Sequence, residues 1–326
     1  MTGPANSGDA SCVAVTGASG FLGRHVVGAF AAAGWRALAL SRSDRPLALD
    51  RMETSGPHDS VAAMRHDGGV EGWQNLFHDH AVDVVCHLAG GSSVPQSVAS
   101  PLSGLRDTIA PSLALLEAVR LYSPATRVLF ASSAAVYGNP EVLPVPESAR
   151  CRPLSPYGLA KLSVELYLTL YHDLYGVRGA SLRPFSAYGP GQRKQLVWDL
   201  LQRLAANPAE LTLLGDGSQS RDFIYAEDVA RAFVHVAMSA PLVGESYNIG
   251  MGQEVTTRML AEGLCAVLGV QPTLRFSGAI RPGEPRRWRA DIHALSALGC
   301  TPHVPLAEGL ARTVAWWHSL VYDTGC

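Results

Sequence analysis

Along the first half of the chain, short apolar runs alternate with segments whose apolar residues recur at three- and four-residue steps. The runs are VAVTG (13–17), RALALS (36–41), VDVVCHLAG (82–90), RVLFASS (127–133) and GASLRPF (179–185). Each reads as a short strand. Between them lie helical patterns: FLGRHVVGAFAAAG after the first run, LALLEAVRLY (113–122), and SPYGLAKLSVELYLTLYHDLYG (155–176). In the last of these, Leu159, Leu162, Leu166, Leu170 and Leu174 form one apolar stripe, Ser155-Pro156 starts the helix and Gly176 stops it. Strands alternating with helices imply parallel pairing and an α/β fold with a doubly wound sheet.

After Pro184 the texture changes. Gly and Pro become dense in YGPGQ and LGDGSQS, and a helix begins near Glu227. SYNIG (246–250) reads as one more strand. Helices over 256–268 and 306–320 flank the basic loop RPGEPRRWR (281–289). These separated segments predict a smaller, discontinuous C-terminal region closing over the carboxyl ends of the sheet, where open α/β sheets bind ligands.

Composition narrows the function. With 326 residues, 47% of them hydrophobic and 17% charged, the chain can bury a sizeable core, and global disorder is excluded. A net charge of −2 without a long basic run argues against nucleic acid as a partner. The six cysteines (Cys12, Cys86, Cys151, Cys265, Cys300 and Cys326) are scattered, with no C-x-x-C pair, and read as reduced, mostly buried thiols. His78 and His80 flank Asp79, but with no further ligands nearby they read as a solvated face rather than a metal site. MTGPANSGDASC lacks a cationic start and an apolar stretch, so residues 1–12 read as a flexible tail. No segment approaches the ~20 apolar residues of a membrane span. The expectation is a soluble, cytoplasmic protein with no membrane partner and no metal.

The first chemistry appears in TGASGFLG, with Gly17, Gly20 and Gly23 placed directly after a strand and opening a helix. Such glycines let the backbone turn tightly and approach a pyrophosphate at the helix N-terminus. This predicts a Rossmann-type dinucleotide site, with Ser19, Phe21 and Leu22 beside the glycines, and Leu88 and Ala89 of HLAG as further cofactor-binding candidates. The second strand ends in Ser41 where an acid would hold the adenosine ribose, and Arg42 follows. A cation there accommodates a 2′-phosphate, which leans the cofactor from NAD toward NADP; the plain alternative is a solvated loop charge or a guanidinium on the adenine. Asp67, after the third strand, is a candidate acceptor for the adenine amine. Residues 13–183 and 226–255 are thus expected to form the dinucleotide domain, and 184–225 and 256–326 the second region.

FASSAAVYG (130–138) ends a buried strand with Ser132 and Ser133, and Tyr157 and Lys161 lie four apart on one face of the helix that follows. A free phenol, with a pKa near ~10, is a poor base at neutral pH. A nearby ammonium, together with the positive charge of an oxidised nicotinamide, would stabilise the phenolate. Lys161 could also hold the nicotinamide ribose, and Ser133 could hydrogen-bond the reacting oxygen.

Together these residues resemble the extended branch of the short-chain dehydrogenase/reductase superfamily, which acts on nucleotide sugars. TGASGFLG, HLAG, SSAAVYG, YGLAK, RPFSAYGPGQ, GDGSQSRDFIYAEDVARA and RPGE…AD…LG stand in that family's order over nearly the whole chain. The resemblance implies catalytic roles for Ser133, Tyr157 and Lys161, and a nicotinamide border at Pro184-Phe185. It implies a nucleotide diphosphate gripped by Arg221 and Arg281, with Glu284 beside it; the plain alternative is a surface ion pair of either arginine with Asp222 or Glu284. Ser93 and Gln96 of SSVPQS would touch the hexose. Ser186 stands where epimerases often carry Asn, and Thr108 and Pro111 replace the Asn and Gly of an N-x-x-G pattern.

Members that eliminate water or decarboxylate usually carry an acid after the Ser. Here Ala134-Ala135 follows, which argues against both reactions. The resemblance therefore implies an NAD(P)-dependent nucleotide-sugar epimerase, acting at C4 through a transient 4-keto sugar. Two alternatives stay open: an NADPH-dependent reductase of a nucleotide-activated 4-keto-6-deoxy sugar, and a non-catalytic dinucleotide sensor. The resemblance also implies a homodimer through helices near 107–121 and 156–175.

Overall fold

The computed structural model describes residues 10–42, 60–91, 93–279 and 285–322. In chain order the first strands are β1 (Cys12–Thr16), β2 (Arg36–Ser41), β3 (Val61–Arg65), β4 (Val84–His87), β5 (Arg127–Ala131) and β6 (Gly179–Pro184). The later ones are β7 (Ser186–Tyr188), β8 (Glu210–Leu213), β9 (Ser220–Arg221), β10 (Phe223–Tyr225), β11 (Val243–Ile249), β12 (Val255–Thr256) and β13 (Thr273–Phe276). The helices are α1 (Phe21–Ala32), α2 (Val70–Asp79), α3 (Val94–Ala99), α4 (Ala110–Tyr122), α5 (Pro156–Tyr175) and α6 (Gln195–Ala206). They continue with α7 (Ala226–Ser239), α8 (Thr257–Leu268), α9 (His293–Ala297) and α10 (Leu306–Tyr322).

Seven strands form one parallel sheet in the order β11-β6-β5-β4-β1-β2-β3. The order reverses at β1, where Val13 lies opposite Ala37 of β2 on one side and Val84 of β4 on the other. That reversal opens a crevice at the carboxyl ends of the strands. Alternate residues of β1 face opposite layers. Val13 and Val15 pack with Val26 and Phe30 of α1 and Phe233 of α7. Cys12 and Ala14 pack with Trp73 of α2, Leu115 of α4 and Leu168 of α5. Helices cover both faces, which is why the strands read as unbroken apolar runs. Cys12 is itself a buried β1 residue paired with Arg36, so the expected tail ends before it; residues 1–9 lie outside the described residues.

The second region is built from three two-stranded sheets, β10–β7, β12–β9 and β13–β8, around a core of its own. Leu200 and Leu204 of α6, Leu260 and Leu264 of α8, and Leu310 and Val314 of α10 meet there. Because β7 follows β6 after a single residue, this region sits at the carboxyl edge of the main sheet. Among the described residues no helix is long and apolar enough to cross a membrane.

Helix α5 starts and stops as the sequence predicts. Ser155 Oγ accepts the Gly158 N–H at 3.2 Å, and Gly176 ends the helix at φ 71°. The leucine stripe, however, does not face the core. Leu159, Leu166, Leu170 and Leu174 are 56%, 64%, 45% and 61% exposed. The buried face is Gly158, Ala160, Lys161, Val164, Glu165 and Leu168. Small residues at the start let α5 approach closely: a Cβ on Gly158 would lie 2.6 Å from the Ala135 carbonyl oxygen. That approach sets α5 against the turn at Ala134–Val136.

Candidate active site

A cleft of about 1350 Å³ runs from the β1–α1 turn, across the ends of β4, β5 and β6, to β9 and the segment 285–288. The turn is built by glycine where nothing larger fits. A Cβ on Gly23 would lie 2.1 Å from the Gly17 carbonyl oxygen, and one on Gly17 would lie 3.0 Å from Ala89 N. Gly17 is left-handed at φ 67°, and no side chain caps the start of α1. The first amides of α1 therefore open on the cleft as an anion-binding end. Thr16 Oγ1 accepts the Ala89 N–H at 3.1 Å and bonds His87 Nδ1 at 2.9 Å, which fixes the Leu88-Ala89 segment opposite the glycines. This cradle suits a dinucleotide pyrophosphate: Gly17, Ser19, Gly20, Phe21, Leu22, Gly23, Leu88 and Ala89 all line it.

Arg42 is exposed at the end of β2 and lines the cleft, as does Asp67, whose Oδ1 accepts the Gly69 N–H at 2.8 Å. Asp107 lies close enough to Arg42 for the guanidinium to help hold its carboxyl below the usual range, after the larger effect of its hydrogen bond from Arg106. Thr108, buried, accepts the Gly91 N–H at 3.1 Å, and Pro111 lines the cleft at the start of α4. Gly90, at φ 145°, passes between Thr108 and the lysine: a Cβ there would lie 3.1 Å from Thr108 Oγ1 and 3.6 Å from Lys161 Nζ.

Ser133, Tyr157 and Lys161 meet at the centre. Ser133 leaves β5 extended, and its Oγ accepts the Ala135 N–H at 3.2 Å. The same hydroxyl lies near enough to the Tyr157 phenol to favour its ionised form. Lys161 is buried, its Nζ donating to the Ala131 carbonyl at 2.8 Å and lying 4.8 Å above the Phe130 ring. It stands 5.8 Å from the centre of the Tyr157 ring. Burial raises the phenol pKa, and the Ser133 hydroxyl draws it back. Burial also lowers Lys161 to about 8, with the Glu165 carboxylate pulling it upward.

On the far side, Ser93, Pro184, Ser186 and Arg221 line the cleft. Ser93 caps α3 by accepting the Gln96 N–H at 3.3 Å. Gln96 is exposed and is not among the lining residues, because the α3 turn carries it outward. Arg221 does not pair with Asp222. Its Nη1 donates to the Ser220 carbonyl at 2.8 Å and its guanidinium lies 5.4 Å from the Trp288 ring centre. Asp222 turns inward to accept the N–H groups of Met251, Gly252 and Ala290, and burial lifts its pKa to about 6 against those bonds. Arg281 and Glu284 lie outside the described residues. His78 contacts Asp79 at 2.9 Å and His80 accepts from Arg36, and among the described residues no cluster of three His, Cys, Asp or Glu is set to hold a metal.

Several residues at the site escape sequence reasoning. Trp288 forms a wall, donating to the Gly138 carbonyl at 3.0 Å and meeting Phe185 edge to face. Gln195 adopts a left-handed φ of 68° at the cleft edge, a conformation uncommon for any residue but glycine or asparagine. Glu165 and Arg183 form a buried ion pair behind Lys161. The signal for Glu165, an acid one helical turn past Lys161, was present; nothing in the sequence marked its partner.

Residues 13–250 match the model of the NAD dependent epimerase/dehydratase family. A UDP-glucose 4-epimerase of Mycolicibacterium smegmatis is 33% identical over 312 residues, covering 94% of this chain and 98% of that protein. A solved UDP-N-acetylglucosamine 4-epimerase from Methanobrevibacter ruminantium, in complex with UDP-N-acetylmuramic acid, matches with a TM-score of 0.85 at 30% identity. The match covers 95% of this chain and 99% of that one. A UDP-glucuronic acid 4-epimerase from Bacillus cereus, in complex with UDP-glucuronic acid and NAD, matches with a TM-score of 0.83 at 28% identity, covering 95% and 99%. Agreement over nearly the whole length, in sequence and in fold alike, places the chain in the NAD-dependent epimerase/dehydratase family.

Proposed function

We propose that the protein is a nucleotide-sugar epimerase that inverts C4 through a transient 4-keto sugar, with NAD or NADP held in place. The observation that carries this is the Ser133–Tyr157 contact with Lys161 buried beside it, in the same cleft as the glycine turn. When bound, the oxidised nicotinamide supplies a hydride acceptor and a positive charge beside the phenol. Tyr157 takes the proton of the sugar hydroxyl and later returns it. Ser133 steadies the reacting oxygen, and the Lys161 ammonium favours the phenolate. Arg221, with Lys194 and Arg286 lining the same cleft, suits a diphosphate. Ala135 lines the cleft beside Ser133 with a methyl group, which moves no proton and so disfavours dehydration. In this reading residues 13–183 and 226–255 hold the dinucleotide, and 184–225 and 256–326 hold the sugar nucleotide.

The second reading, a net reductase, is favoured by Arg42, which suits the 2′-phosphate of a consumable NADPH; the Asp107 carboxylate within its reach opposes that phosphate. The relatives' substrates make the test direct. Incubation with UDP-glucose, UDP-N-acetylglucosamine and UDP-glucuronic acid should give the 4-epimer by NMR without net cofactor use. No epimer, with stoichiometric NADPH consumption on a 4-keto sugar, would establish the reductase instead. A homodimer completes the proposal: α4 and α5 expose Leu121, Tyr122, Leu166, Tyr167, Leu170 and Leu174 together.

A further inference from the structure

Helix α5 carries two buried charged side chains one turn apart on its inner face, Lys161 and Glu165. The reaction as proposed uses only the first. Glu165 is fully engaged: the Ser132 hydroxyl donates to its Oε1, and Arg183 clasps both oxygens, Nε to Oε1 at 3.0 Å and Nη2 to Oε2 at 2.6 Å. A buried ion pair contributes little net stability compared with apolar side chains of the same volume, so stability does not account for it.

Its connections do. Lys161 fixes Ala131 through the carbonyl, and Glu165 fixes the next residue, Ser132, through the hydroxyl. Two successive inward side chains of α5 thus pin two successive residues where β5 ends, and the residue after them is Ser133. Arg183 directly precedes Pro184 at the end of β6. Its Nη1 donates to the Tyr137 hydroxyl at 2.7 Å, which donates to Asn248 Oδ1 of β11 at 2.7 Å. Asn248 Nδ2 then donates to the Val145 and Asp291 carbonyls at 2.8 and 3.2 Å. One network joins the strand ends that carry Ser133 and Pro184 to the segment that follows Trp288. Glu165 is also an anion acting on two cations, Arg183 and Lys161.

We propose that Glu165 is a positioning residue: through Ser132 it holds Ser133 against Tyr157, and as shared counter-charge it keeps Lys161 an ammonium. This rests on the roles given above to Ser133, Tyr157 and Lys161. The chain has two lysines, Lys161 and Lys194, so 13C-labelled lysine gives two NMR signals, and Lys194→Arg assigns them. Removing both buried charges together, in Glu165→Gln/Arg183→Gln, avoids stranding a lone charge. Measured against Arg183→Gln alone, which differs from it only at Glu165, Lys161 in that variant should titrate about one unit lower or more, the usual size of an opposite-charge effect. Ser132→Ala leaves the ion pair whole; kcat should fall about ten- to a hundredfold with KM little changed, the scale expected for a misplaced catalytic group. Equal Lys161 titrations in the folded double variant and in Arg183→Gln overturn the counter-charge role. Wild-type kcat in Ser132→Ala overturns the positioning role. The lysine titration needs no turnover, so it judges Glu165 even if the wild-type protein fails to epimerise, an outcome that would refute the proposed function itself.

Discussion

Gly23→Ala should disable dinucleotide binding while leaving the fold recognisable. The added Cβ would lie 2.1 Å from the Gly17 carbonyl oxygen, 2.7 Å from the Gly17 carbonyl carbon and 2.9 Å from Ala18 Cα, whereas ordinary contact begins at 3.4 Å. All three neighbours are backbone, so no rotamer relieves the overlap. The turn must open by more than an ångström, and Gly17, Ser19, Gly20 and Gly23 of that turn line the cleft. Overpacking of this kind costs about 1–3 kcal/mol, more where backbone must shift. At about 1.4 kcal/mol per tenfold, affinity for NAD or NADP should weaken about five- to a hundredfold if that cost falls on the bound conformation of the turn. Gly34→Ala is the control. Gly34 ends the same helix region at φ 84° with nothing within 4 Å, so alanine there pays a left-handed strain of about 1–2 kcal/mol without touching the cleft. Isothermal titration calorimetry with both dinucleotides, alongside thermal melts, separates the two. Wild-type affinity in Gly23→Ala, or an equal loss of affinity in Gly34→Ala, would refute the idea that this turn is the cradle.

Tyr157→Phe should lower turnover by about 10²–10⁴-fold, as for loss of a proton-transfer group, with the Kd for dinucleotide unchanged; near-normal turnover by NMR would remove Tyr157 from the chemistry. Lys161 has a folded pKa of about 8 against an ordinary 10.5. Between those values the unfolded chain binds the extra proton, so this group's contribution to stability rises with pH while an activity needing the ammonium falls. A pH–rate profile falling above pH about 8, beside melts that do not fall with it, is the expected pair of results; parallel decline would mean unfolding instead. Leu166→Glu combined with Leu170→Glu should give a monomer by light scattering, since both side chains are more than 40% exposed on the proposed interface; an unchanged mass would place the interface elsewhere.

What the sequence revealed of the site was what lies close together in it. The glycines at 17, 20 and 23 fall within one turn, and Tyr157 and Lys161 within one turn of helix, so local geometry alone fixes their relation. Ser133 was legible as a strand end. Partners that meet only through tertiary structure were not. Glu165 meets Arg183 across helix and strand. Asp222 gathers amides from β11's end and from Ala290, some 68 residues away. Arg221 takes Trp288 rather than its neighbour in sequence. Gln96 shows the converse: adjacency to Ser93 in the chain did not bring it into the cleft.

The leucines of α5 carry the same lesson further. A period of 3.6 identifies a helix and one apolar face, but it does not say what covers that face. Here the sheet side is taken, in the turns before Leu168, by Gly158, Ala160 and Val164, residues small enough to bring Tyr157 to Ser133, and by a lysine and a glutamate engaged in the site. Large apolar side chains on that side would hold α5 harder but farther from β5. Leu159, Leu166, Leu170 and Leu174 are left to the outer face, where each would gain roughly 1.5–3 kcal/mol if a second copy buried it completely. Covering that face would press α5, with Tyr157 and Lys161, toward the end of β5, which Ser133 follows. A dimer formed there would then steady the site as well as hide the stripe.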